Sequence, residues 1–358
     1  MVKCMGVRKK HIYVAGYAGE AMRYMLRDLE GDNVTFVDGV LDSCEQSQRA
    51  WKILRHIPYS EPLLWPFYTL SRISYEKDAD NYILMINSLF SCGFTYKYLR
   101  WLKRRIPNVV YVLYILDPYD IFFPRWCHKD MLSLWDCVYN INYEDSMRLQ
   151  QRYWPLVYSG QSASDIESVK SILDRGASEY TGEVSVPVEQ KKVDYTFEKY
   201  ALYFCGGGGD RDTILRQVYI AAEENGVSCN FVVLDHEQHG EIPGIQKISV
   251  PMPYPENVCN IMNSNCILEI LHEGYSNPTQ RYPEAVYFGK KLLTNNIAIV
   301  NFPCYNKKYM RVFHEVSEID WDWVCRKEDV DYSYQNEFSP VKLVDDMIQA
   351  SDERHQEL

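Results

Sequence analysis

The stretch SNCILEILHEGYSNPTQRYPEAVYFGKKLLTNN, residues 264–296, reads as strand, loop, helix and strand. Cys266 to Leu271 is an apolar run of the length of a buried strand, and Lys291 to Thr294 is a second. A polar loop with Gly274 and Pro278 follows the first run, and a helical stretch then carries Thr279, Arg281 and Glu284. A helix that opens with an arginine in its first turn suits a phosphate, because its free N–H groups and macrodipole point at the anion. A carboxylate one turn on suits a pair of sugar hydroxyls. Together these groups point to a sugar nucleotide.

Outward from this stretch, the same alternation runs through the chain. Strands are predicted at 11–16, 34–37, 81–86, 109–116, 137–141 and 154–157, with helices between them, including 96–105 and 144–151. Ser43 to Ser74 reads as helical, broken by Pro58, Pro62 and Pro66. Residues 159–196 are polar and without period, apart from a possible helix at 166–173, and read as a linker. A second run begins with the strand 200–205, continues through strands at 230–234 and 246–250, and ends in a helix from Pro340. Repeated β-α units of this length imply an α/β protein with two Rossmann-like, doubly wound parallel-sheet domains. The expected boundaries are 1–158, a linker at 159–196, a second domain at 197–338 and a terminal helix within 339–358.

Composition narrows the class. A chain of 358 residues is long for one core, and 46% hydrophobic with 24% charged residues is that of a folded protein. The net charge of −11 is uneven: the first 157 residues are weakly basic, the remainder strongly acidic. An acidic second half argues against nucleic acid as a partner. The eleven cysteines show no CxxC spacing, and Met1 to His11 lacks the apolar core of a signal peptide. Reduced thiols in a cytoplasmic protein without a zinc site are expected. The 29 tyrosines suit stacking on sugars, although AT-rich coding also enriches tyrosine. Lys97, Arg100, Lys103, Arg104 and Arg105 put a basic side on a helix whose other side carries Tyr98, Trp101 and Leu102. Such a helix can lie on an anionic membrane surface at the inner face of the cell membrane, or simply cover a sheet.

A second signal is the turn Gly206-Gly207-Gly208-Gly209-Asp210-Arg211 directly after a strand. Glycines allow close backbone approach, and such junctions bind phosphates in α/β folds. The turn completes neither a dinucleotide fingerprint nor a Walker loop. Arg211 or Arg216 is placed to meet a phosphate oxygen. Glu269, at the end of its strand, can touch a sugar or ribose, or stand as a rim acid.

The motif in 264–296 resembles the donor-binding region of GT-B glycosyltransferases, especially bacterial enzymes that assemble capsule and lipopolysaccharide sugars. The residues that carry the likeness are Leu268-Glu269-Ile270, Gly274, Thr279-Gln280-Arg281, Glu284-Ala285 and Gly289 to Asn296. The resemblance implies transfer of a sugar from a nucleotide-diphosphate donor to a glycan or polyprenyl-linked acceptor, in surface polysaccharide synthesis. It implies that Thr279 and Arg281 hold the pyrophosphate and Glu284 the ribose hydroxyls. It places Gly207, Gly208 and Arg211 near the donor phosphates, and it has the terminal helix cross back onto the first domain.

Many GT-B enzymes, notably retaining ones, carry a Glu eight residues before the equivalent of Glu284. Here that position is Ser276, which points to inversion. An inverting enzyme needs a base in its first domain, at a strand end. Asp117 and Asp120 follow the strongest strand and are the expected catalytic residues; Glu20, Asp38, Asp42 and His128 are further candidates. Asp320-Trp321-Asp322 has the letters of a DxD motif but falls outside the αβ core, so no metal and no cofactor beyond the nucleotide-sugar donor are expected. Two other functions remain open: a nucleotide-sugar epimerase, and a non-catalytic glycan- or partner-binding protein with a degenerate site.

Overall fold

The computed structural model describes residues 9–17, 19–41, 43–54, 56–57, 61–86, 96–118, 132–160, 199–235 and 244–357. The chain divides into two compact units, one of residues 1–159 with 338–358, the other of residues 160–337. Each contains one six-stranded, all-parallel sheet.

In the first unit the strands are β1 (Lys9–Ala15), β2 (Val34–Val37), β3 (Ala79–Ile86), β4 (Val109–Ile115), β5 (Cys137–Asn140) and β6 (Arg152–Tyr153), in the order β2-β1-β3-β4-β5-β6. The central strands are apolar on both faces, as parallel strands covered by helices must be. The sixth strand lies earlier than the 154–157 run predicts. Pro155 has no N–H for a ladder, and Arg152 and Tyr153 pair with Tyr139 and Asn140 instead.

The Tyr96–Arg105 helix differs from the membrane-lying reading. Tyr98 and Leu102 are fully buried, Trp101 packs against the same core, and Lys103 donates to Asp136 Oδ1 at 2.7 Å. The apolar side therefore covers the sheet. Tyrosine has a similar fate across the chain: Tyr82, Tyr98, Tyr111, Tyr114, Tyr139, Tyr203 and Tyr282 are among the largest fully buried side chains. Several hydroxyls find partners inside, as Tyr114 does by donating to the Pro155 carbonyl at 2.8 Å.

The Pro340–Glu357 helix belongs to the first unit. Leu343 and Met347 are fully buried, and Asp346 accepts from the Tyr139 hydroxyl at 2.5 Å and from Arg152 at 3.1 Å. The backbone N–H of Tyr158 donates to the Phe338 carbonyl at 2.7 Å.

The second unit holds β7 (Tyr200–Gly207), β8 (Cys229–Leu234), β9 (Gln246–Ile248), β10 (Ser264–Glu269), β11 (Lys291–Thr294) and β12 (Met310–Val312), in the order β12-β11-β10-β7-β8-β9. The chain winds one way from β7 to β9 and the other way from β10 to β12. The strand order therefore reverses between β7 and β10, and ligands of open α/β sheets bind at the carboxyl ends of the strands flanking such a reversal.

Candidate donor site

A cavity of about 190 Å³ opens at that reversal. Phe204, Cys205 and Gly206 line it from the end of β7, Ile270 from the end of β10, and Thr279, Gln280 and Arg281 from the segment leading into the Arg281–Tyr287 helix. Arg211 completes the lining, so two arginines stand among the lining residues, with no acidic residue beside them among those described.

The glycine turn shapes one wall. A Cβ at Gly207 would lie 3.0 Å from Arg211 Nη2, so a side chain there would press the guanidinium out of its place beside the strand. Gly208 has its own crowding, with Asp212 Oδ1 2.6 Å from a built Cβ, and Gly209 has φ +83°. Arg211 is about nine-tenths buried and donates through Nη1 to the Ile270 carbonyl at 3.2 Å, while its Nε is buried without a hydrogen-bond partner. Burial pulls this guanidinium below its ordinary pKa; Asp210 opposes the shift and the like charge of Arg281 adds to it. Gln280 Nε2 is a second buried donor without a partner.

Next to Arg211, Asp210 ties the turn to the loop after β10. Its carboxylate accepts from the Glu273 N–H at 2.7 Å and meets His272 Nδ1. Some burial opposes ionisation, but these donors hold the carboxyl below its usual value.

The opposite wall rests on Glu269. This residue is fully buried, not on the rim. Its Oε1 accepts from the Thr279 N–H at 2.8 Å and the Thr279 hydroxyl at 2.6 Å, and its Oε2 from the Thr294 hydroxyl at 2.7 Å. Burial raises its pKa against those bonds. Glu269 thus fastens the cavity-lining segment to β10 and β11, and three protein donors already engage its carboxylate. Thr279 precedes the helix, and its hydroxyl in turn accepts from the Arg281 N–H at 3.2 Å.

Arg281 and Glu284 meet directly. Arg281 Nε stands 3.0 Å from Glu284 Oε2, Nη2 donates to Glu284 Oε1 at 3.2 Å, and Nη1 donates to Asn257 Oδ1 at 2.9 Å. Asn257 also donates to Glu284 Oε1 at 3.1 Å and accepts from the Tyr203 hydroxyl at 2.8 Å. Burial pushes Glu284 up to about 7, against the pull of Arg281. Asn257 lies in the Tyr254–Met262 helix and Tyr203 on β7. Sequence reasoning missed both, since no local motif joins residues this far apart.

In the first unit, Asp117 is half-buried just beyond the end of β4 and is not free of partners. Asp38 is exposed and accepts from the Tyr17 hydroxyl. Asp120, Asp42, His128 and the side chain of Glu20 lie outside the described residues. Asp320 caps the Trp321–Cys325 helix by accepting from the Trp323 N–H at 3.0 Å and pairs with Arg311, which accounts for its place in the DxD-like triplet.

No protein-family model matches the chain, and no curated protein matches it in sequence. Solved structures do match. The N-terminal domain of trehalose-6-phosphate phosphatase from Candida albicans aligns with TM-score 0.52 at 10% identity, over 96% of this chain and 97% of that one. A match of this extent, with two all-parallel six-stranded sheets, decides the architecture. The fold is GT-B. Other GT-B structures align at lower scores. The UDP-forming α,α-trehalose-phosphate synthase from Burkholderia vietnamiensis reaches 0.49 at 9% identity, over 98% of this chain and 97% of that one. HepE from Anabaena in complex with UDP-glucose reaches 0.48 at 11% identity, over 98% of this chain and 100% of that one.

Proposed function

We propose that the protein is a glycosyltransferase that uses a nucleotide-diphosphate sugar as donor and a glycan or polyprenyl-linked hydroxyl as acceptor, in surface polysaccharide synthesis. One observation carries the reading: a cavity at the β7/β10 reversal is lined by Arg211 and Arg281, with unpartnered donors on Arg211 and Gln280. Two positive groups around a small space match the two charges of a diphosphate. As the glycosidic bond to the donor breaks, charge grows on the departing diphosphate, and preformed guanidinium donors stabilise it without reorganisation. The Arg281–Glu284–Asn257 network keeps one guanidinium in place for this task.

The proposed reaction is inverting, and Ser276 supports this reading, since it stands eight residues before Glu284 where the resemblance has many retaining enzymes carry a glutamate. Asp117, at the end of β4, is the proposed base for the acceptor hydroxyl. The proposed setting is the cytoplasm, at the inner face of the membrane.

Calorimetric titration with UDP, GDP, CMP and dTDP sugars tests the donor site. One of them is expected to bind, and Arg211→Ala is expected to weaken that binding roughly ten-fold or more, as loss of a charge-assisted phosphate contact does. Absence of binding by every donor would refute the reading. The anomeric configuration of the product, read by NMR, tests inversion.

A further inference from the structure

The core takes up the apolar side of the Tyr96–Arg105 helix, yet its basic side remains exposed. Arg100, Arg104 and Arg105 are all exposed and form no ion pair among the described residues. Beside them stands an apolar surface that the sequence did not single out. Ile53 is 65% exposed, Ile57 49% and Leu63 60%, which is unusual for aliphatic side chains clustered in one segment.

Packing through half-buried side chains links the two surfaces. Ile53 sits in the last turn of the Glu45–Leu54 helix, and the Ile57 N–H donates to the Leu54 carbonyl one turn on. That helix packs against the short Glu61–Leu64 helix, which carries Leu63. Trp65 follows directly, and its ring lies 5.8 Å from that of Trp101 in the basic helix. Leu54, Trp65 and Trp101 all border one core cluster. Exposed Lys52 precedes Ile53 and adds further positive charge, whereas nearby Arg49 is paired with Glu45.

We propose that Ile53, Ile57 and Leu63, with Arg100, Arg104 and Arg105, form a surface that docks on an anionic lipid bilayer. The arginines meet lipid phosphates, and the aliphatic side chains enter the boundary between headgroups and acyl chains. Charge complementarity selects this occupant. A polyanion such as a nucleic acid would use the arginines but gains little from three protruding aliphatic side chains. The inference does not depend on the donor-site reading, since none of these residues lines the cavity.

Co-sedimentation with vesicles of phosphatidylcholine alone, and with phosphatidylglycerol added, tests it. The protein should bind only the anionic vesicles. The triple variant Arg100→Glu, Arg104→Glu, Arg105→Glu should lose that binding by roughly ten-fold or more. The triple variant Ile53→Ser, Ile57→Ser, Leu63→Ser should weaken it and leave a remainder that moderate salt removes. All substituted positions are exposed, and circular dichroism and nucleotide titration of each variant should match the parent. Equal sedimentation with neutral and anionic vesicles, or parental binding by both variants, would overturn the proposal. So would binding of a single-stranded oligonucleotide in place of vesicles, lost only in the arginine variant.

Discussion

Arg281 lines the cavity and at the same time holds Glu284 and Asn257. Its partner has the more informative titration. Burial raises Glu284 from 4.5 to about 7, so between those values the folded state binds more protons than the unfolded chain. The stabilisation tied to that carboxyl is complete below pH 4.5 and fades as pH rises through about 7. Thermal unfolding of the parent and of Glu284→Gln across this window measures it. The parent's advantage should shrink as pH rises; an advantage that grows would mean the carboxyl stays ionised throughout. Gly207 gives a second residue-scale outcome. Gly207→Val sets a side chain against Arg211 Nη2, so nucleotide affinity should fall with the fold intact, read by titration beside circular dichroism.

At the scale of elements, Glu269 joins β10 to β11 and to the segment that carries Thr279. Glu269→Ala leaves the donors of Thr279 and Thr294 without their acceptor in a buried setting, at a cost of about 1–3 kcal/mol in chemical denaturation. The strands before and after this segment were legible in the sequence because apolar runs bounded by Gly, Pro and polar residues leave few other readings. So was the grouping of Arg281 with Glu284, three residues apart on a helix. What escaped depends on contacts between distant elements. Met310–Val312 is too short and too mixed in character to read as a strand, yet it pairs with Leu292 to Thr294. Nothing in the local sequence marks Asn257 or Tyr203, and nothing shows that Glu269 turns inward to two threonines. The basic helix taught a related lesson: its amphipathic pattern is real, but periodicity alone cannot say whether a sheet or a lipid covers the apolar side.

For the whole molecule, the two units should respond separately to damage in their cores. Leu343 is fully buried in the first unit although it lies near the end of the chain. Leu343→Ala should cost about 2–5 kcal/mol there. In scanning calorimetry it should lower the transition of the first unit and spare that of the second; one shared shift would show that the units melt together.

The return of the chain to the first unit also bears on how the protein is made. Tyr158 and Phe338 are bonded neighbours, but 179 residues of sequence intervene between them, and Asp346 reaches Tyr139 and Arg152 from the far side of that interval. On the ribosome, the sheet of the first unit is synthesised before the second unit and completed after it, because its closing helix follows the second unit in sequence. Its apolar flank around Tyr139 waits uncovered while the later unit folds. Newly made chains should therefore engage chaperones through the earlier unit, and a circular permutant that begins at the closing helix should shorten that exposure.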